Sequence, residues 1–295
     1  MSIRLGINPL TWSNDDLPSL GGDTPLETCL REARAAGYEG IELGNKFPRN
    51  AAELRPLLER HGLALISGWY SSFLLERSID DEIAAVEAHL QLLSDMDCDV
   101  MVFAECTGCV HGQQETPVSQ RPALADNQWQ AFGGKLTAVA EHLAARGVAM
   151  AYHHHMGTVI ESEIDIDRLM DVTGPAVGLL LDAGHMTYAG GDPHAVLDRH
   201  AARINHVHCK DVRRPVLDRV KAADSSFLSA VLAGVFTVPG DGCVDFKRLC
   251  TGLKQHDYSG WLVVEAEQDP EIAPPLKYAR MGHMGLTGAV LSAGY

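Results

Sequence analysis

Eight short apolar runs recur along this chain, each followed by a segment of helical periodicity, and nearly all end abruptly in a polar or ionisable residue. They are Leu5 to Leu10, Tyr38 to Gly44, Leu63 to Tyr70, Val100 to Glu105, Ala149 to His155, Val177 to Asp182, Ile204 to Lys210 and Gly260 to Glu267. No two are joined by a two-residue hairpin turn, so they predict parallel strands with helical crossovers. Helices are expected at 25–36, 51–61, 80–96, 127–146, 163–172, 192–202, 246–256 and 272–285, several of them closed by Gly. Eight such units predict an α/β fold, a closed (β/α)8 TIM barrel in one domain over 1–295, with long loops at about 106–126 and 213–244. The first of these loops is expected to be a lid or an interface element. A doubly wound nucleotide-binding sheet has little support, because the first βα turn lacks G-x-G-x-x-G and the chain lacks a P-loop.

Side chains alternate across a strand. In VGLLLDAGH, an inward Asp182 makes Leu180 inward too, while Leu179 and Leu181 face the packed helices. In INHVHCKD the same parity sets His206, His208 and Lys210 on one face, opposite Val207 and Cys209. Ionisable groups at the ends of strands buried on both sides are costly unless paired, protonated or metal-bound. A structural Asp-His pair would explain one strand alone; recurrence on neighbouring strands argues for a site.

The net charge of -15, from 39 acidic and 24 basic residues with no Lys/Arg-rich run, excludes tight binding to a nucleic-acid backbone. Seven cysteines do not read as a disulfide framework, and Cys106-Thr-Gly-Cys109 lacks the second pair that a zinc ribbon requires. No leader pattern opens the chain and no segment approaches eighteen consecutive apolar residues, so a cytoplasmic location and no membrane are expected. A homo-oligomer is compatible with the chain.

In barrels the working groups sit at the carboxyl ends of strands. Those ends carry Asn8, Glu42, Trp69, Glu105, His153 and His155, Asp182, His208 and Glu265. Asp182, His208 and Glu265, from three consecutive strands, form the best metal set, with a fourth ligand expected after the fifth strand. Mixed carboxylate and imidazole without thiolate suits a catalytic divalent ion, one able to polarise a carbonyl and hold the enediolate left by loss of the neighbouring proton. His153, His155, His185 and Lys46 are the nearby acid/base candidates. By alternation His154 points away from His153 and His155, toward the core.

GINPLTWSNDD, LGG, GIELGNKFPR, SGWYSS, HHHMGTVIES, LLLDAGH, HVHCKD and VVEAEQDP together closely resemble the inosose dehydratases of the IolE type, within the xylose-isomerase-like barrel superfamily. The resemblance covers nearly the whole chain. It implies a divalent metal, Mn²⁺ or Co²⁺ first, with Zn²⁺, Fe²⁺ and Mg²⁺ also admitted, held by Asp182, His208 and Glu265. Superfamily epimerases usually place a glutamate within strand five, where this chain has His153. Glu161 is therefore expected as the fourth ligand, with His155 as its rival.

The implied activity is that of a carbon–oxygen lyase: 2-keto-myo-inositol (scyllo-inosose), a small polyhydroxylated ketone, loses water to a trihydroxycyclohexane-dione. A histidine or Lys46 would take the proton, and Trp12, Glu42, Trp69, Glu105 and Arg214 would bind the ring. A metal-dependent sugar or keto-sugar isomerase or epimerase is the nearest rival. A DNA-repair endonuclease of the superfamily would need more metal ligands and a basic face, and a non-catalytic sugar-binding barrel would bind without turnover.

Overall fold

The computed structural model describes residues 2–295. Eight parallel strands close a barrel: β1 (Ile3–Ile7), β2 (Gly40–Leu43), β3 (Ala64–Ser72), β4 (Val100–Glu105), β5 (Ala149–His153), β6 (Val177–Asp182), β7 (Ile204–Cys209) and β10 (Gly260–Val264), with β10 paired to both β7 and β1. A two-stranded ladder, β8 (Asp211–Val212) with β9 (Phe236–Thr237), stands apart from it. Outside the strands run α1 (Leu26–Ala36), α2 (Ala51–His61), α3 (Ile79–Asp95), α4 (Trp129–Ala145), α5 (Glu163–Val172), α6 (Ala183–Ala189), α7 (Pro193–His200), α8 (Arg214–Ala222), α9 (Phe227–Leu232), α10 (Phe246–Gln255) and α11 (Pro275–Ser292). The (β/α)8 expectation is met.

The parity argument holds. Leu180 packs inside the barrel with Val100, Val102 and Ala151, while Leu179 and Leu181 join the larger core between strands and helices. Three expected strands end two or more residues before their apolar runs do. The Asn8 side chain accepts from Leu10 N–H and caps a turn at Pro9–Thr11, ending β1. The fifth stops at His153, where His155 N–H turns to the Ile160 carbonyl at 3.0 Å. The last stops at Val264.

Helix α6 was not expected from the sequence. Asp182 caps it by accepting the His185 N–H at 2.8 Å, so one carboxylate both ends a strand and starts a helix. The two long loops meet beside the mouth. Pro117 bridges Ser226, Ser119 Oγ donates to Asp224 at 2.7 Å, and Val118 packs with Phe227 and Phe236 under α8 and α9. Among the described residues no helix is long and apolar enough to cross a membrane.

Candidate metal centre

His153 ends β5, Asp182 ends β6, His208 lies in β7 and Glu265 follows β10. Each offers one ligand atom to a common point, and all four are buried. His153 Nε2 lies 3.7 Å from Asp182 Oδ2, which lies 3.6 Å from His208 Nδ1; the latter is 3.0 Å from Glu265 Oε2. Ligand atoms about 2.0–2.2 Å from one shared ion stand about 3.0–3.6 Å apart in octahedral or tetrahedral geometry, which these separations approach closely.

Two of these atoms, Asp182 Oδ2 and His208 Nδ1, are buried without a hydrogen-bond partner among the described residues. The 3.0 Å approach of His208 Nδ1 to Glu265 thus brings two groups together without the alignment of a hydrogen bond. Such orphans cost roughly 1–3 kcal/mol each if left unmet, and a cation would answer both.

The supporting contacts fix which nitrogen faces inward. His153 Nδ1 is 2.6 Å from the His154 carbonyl and His208 Nε2 is 3.1 Å from Glu42 Oε1, so each ring donates outward and turns its other nitrogen to the centre. Glu265 takes Lys210 Nζ on Oε1 at 2.6 Å and Asn8 Nδ2 on Oε2 at 2.9 Å. His154 accepts from the Asp182 N–H at 3.2 Å, the supporting place expected for it. Burial opposes charge on Glu42 and Glu265. Against the effect of burial, Glu265 and Glu42 hold His208 well above the usual imidazole range; its positive charge, with His206, keeps Glu42 well below the usual carboxylate range and, with Lys210, does the same for Glu265, and an ion at Nδ1 would stand in place of that proton. Burial, then His208, keeps His153 well below the usual imidazole range, so it is neutral and able to ligate. Three buried carboxylates, Glu265, Glu267 and Asp182, act on one buried cation, Lys210. The residues present fit a divalent ion.

Above the centre opens a cavity of ≈ 210 Å³ whose lining includes His153, His155, His208, Glu265, Trp69 and His111. It suits a small molecule rather than a polymer. Trp69 is edge-on to His153 and His155, with ring centroids 5.4 and 5.5 Å away. His155 and His111 face each other at 4.9 Å. Burial holds His155 well below the usual imidazole range. It opposes charge on His111 too, but Cys109 and Asp16 raise that ring above its ordinary value.

Several residues expected at the site work elsewhere. Glu161 is absent from the quartet: its Oε2 accepts the Gly157 N–H at 2.7 Å, its Oε1 lies 3.5 Å from Arg121, and it lines a separate cavity beside Tyr188 and Lys221. His153 takes the place expected of it. Lys46 turns away and donates to the carbonyls of Gly21, Gly22 and Thr24 at 2.6–3.0 Å, tying down the first loop. Trp12 is fully buried and its Nε1 donates to Glu32 at 2.7 Å. Glu105 accepts the N–H groups of Leu74 and Thr107, fastening two loops. Glu42 does border the cavity, but Asn8, Ser67, His206 and His208 take up its oxygens. Arg214 is exposed on α8; Arg213 makes the inward contacts, to Asp241 and Gln268.

His185 is near the centre but behind it, against Lys210 and 3.9 Å from the His155 ring centroid. Asp15 and Asp16 reach the cavity from the loop 12–22, whose Asn and Asp side chains are expected beside a site at the strand ends; Asn45, Arg49, His111 and Glu267 are unforeseen there. Glu267 alone left a signal, sharing the parity of Glu265 in VVEAEQDP.

The chain matches a family model described as xylose isomerase-like TIM barrel over residues 30–283. It is 53% identical, across its whole length and 91% of the relative's, to the rhizopine catabolism protein MocC of Rhizobium meliloti. It is 44% identical to the inosose dehydratase of Geobacillus thermodenitrificans, with 94% of each chain covered. Among solved structures it resembles the probable 3-DHS dehydratase AsbF from Bacillus anthracis, with a TM-score of 0.69, 14% identity, and 96% of this chain and 98% of that one covered. That last likeness is one of fold alone.

Proposed function

The chain belongs to the xylose isomerase-like TIM barrel family, beside the inosose dehydratases within it, and from that premise we propose that it is a metal-dependent lyase of inositol catabolism that removes water from scyllo-inosose. The observation that carries the reading is the small cavity joining the four-atom convergence of His153, Asp182, His208 and Glu265 to two histidines of opposite protonation tendency. The whole chain acts as one barrel domain. Two imidazoles and two carboxylates suit Mn²⁺ or Co²⁺ first. The seven free cysteines fit the reducing cytoplasm.

When bound, the ion supplies Lewis acidity to the substrate carbonyl. The rest falls to this chain's residues. His155, neutral and with Nδ1 committed to the Met156 carbonyl at 2.8 Å, takes the proton from the carbon beside the ketone through Nε2. His111, whose ring holds its proton more tightly, gives it to the departing hydroxyl one carbon further on. A C–H and a C–O bond break, a carbon–carbon double bond forms, and water leaves. Proton return from His155 to His111 resets the pair. The Trp69 face orients the ring, and Asp16, Asn45 and Arg49 meet its hydroxyls.

The test is a mass spectrum of scyllo-inosose incubated in D₂O with Mn²⁺-reconstituted protein and with a chelated control. Metal-dependent loss of one water supports the reading. Deuterium uptake without water loss would replace it with an isomerase or epimerase. A rhizopine belongs in the same assay, since the relative at 53% identity is named for rhizopine catabolism.

A further inference from the structure

Beside the first centre lies a second convergence of ligand atoms, from His155, His185 and Glu267, all buried. We propose that the Lys210 ammonium takes the place of a second metal ion there, so that a ligand set suited to two ions accepts only one. The inference rests on the metal reading above.

Lys210 is fully buried, and its Nζ reaches Glu265 Oε1 at 2.6 Å, Glu267 Oε1 at 2.7 Å and His185 Nε2 at 2.9 Å. An ammonium has three N–H donors; two carboxylates receive two of them, and His185 Nε2 receives the third in the tautomer that carries its proton on Nδ1, which forgoes the longer 3.3 Å contact from Met156 N–H. The same donor set would suit a divalent ion. The contacts are longer than metal–ligand bonds because a hydrogen lies in each. Glu265 joins the two places, presenting Oε2 to the first centre and Oε1 to Lys210, as a bridging carboxylate does between ions about 3.5–4 Å apart. The Phe236 ring, its centroid 4.7 Å from Nζ, covers another side of the ammonium.

The fold makes room for this side chain. A Cβ on Gly184 would stand 2.5–2.9 Å from the Cβ, Cγ and Cδ of Lys210, so the glycine of Asp182-Ala-Gly-His185 lets the lysine stem pass. His208 and Lys210, two residues apart, extend from one face of the β7 run, so the H-x-K spacing delivers a ligand to one place and the fixed cation to the next. A covalently held charge cannot be lost to dilution or chelation. It keeps Glu265 and Glu267 in position whichever metal is available and leaves the cavity side of the site to a single ion.

The test is Mn²⁺ stoichiometry by elemental analysis together with the electron paramagnetic resonance spectrum. Wild-type protein is expected to bind one ion per chain with the spectrum of an isolated ion. Lys210→Ala should bind two, with a spin-coupled spectrum, and Lys210→Ala/His185→Ala should return to one. Wild-type uptake of two ions, or uptake of a single ion by folded Lys210→Ala, overturns the inference. If Lys210→Ala fails to fold, Lys210→Ser is read in the same way: two ions support the inference and one ion overturns it. One ion in both wild type and Lys210→Ala leaves the metal reading intact, whereas no ion in either overturns both.

Discussion

His208 holds Glu42 with one edge of its ring and meets the metal set with the other: Nε2 donates to Glu42 Oε1 at 3.1 Å, and Nδ1 is turned to the centre with no hydrogen-bond partner among the described residues. Glu42 therefore acts through His208. Glu42→Gln is expected to weaken Mn²⁺ affinity about 10–100-fold, the usual cost of losing a support of this kind. Competition against a chromophoric chelator measures it. Unchanged affinity with a raised KM would return Glu42 to a substrate-binding role.

Glu161 predicts a pH dependence of stability unrelated to the metal. Burial pushes its carboxyl up to about 7, and the Gly157 N–H and Arg121 only partly offset this, with Asp165 and Lys221 the other charges acting on it. The folded state holds a proton that the unfolded chain releases near its ordinary value. Its stabilising effect is complete below that value and is lost as pH rises toward 7. Glu161→Gln should remove up to roughly 3 kcal/mol of stability loss between about pH 5 and 8, while Mn²⁺ affinity stays unchanged. Denaturant melts across that range test it; abolished metal binding would restore Glu161 as a ligand.

Lys46 anchors a loop through three carbonyls. Lys46→Met should cost about 1–3 kcal/mol of stability and leave kcat at saturating substrate unchanged. Collapse of kcat with an unaltered melting temperature would make it the base instead.

Cys109 should be the first thiol to react with iodoacetamide near pH 6.5. The neighbouring Cys106, aided by His111 against the effect of burial, holds its thiol below the ordinary value. The adduct beside His111 should suppress turnover. Peptide mapping in which the exposed Cys243 labels first would contradict this.

What could be read from the residues followed from periodicity. Alternation correctly grouped Asp182 with Leu180, and His206 and His208 with Lys210, because a strand allows its side chains two directions and no more. It could not find the end of β5, which stops at His153; the expectation of Glu161, with His155 as rival, came from the resemblance, in which a glutamate stands where this chain has His153. Lys46 and Trp12 adjoin polar strand ends in the sequence, yet a long side chain leaving a loop can turn either way. Arg213 and Arg214 exchanged roles through one step around the start of α8. His111 stayed hidden because the loop that carries it follows no period.

The most direct test of the account titrates metal-free protein with Mn²⁺ while following bound ion and the rate of water loss from scyllo-inosose in one sample. The account predicts that both saturate together at one ion per chain, and that His153→Ala loses both. Full dehydration by the chelated protein would contradict it.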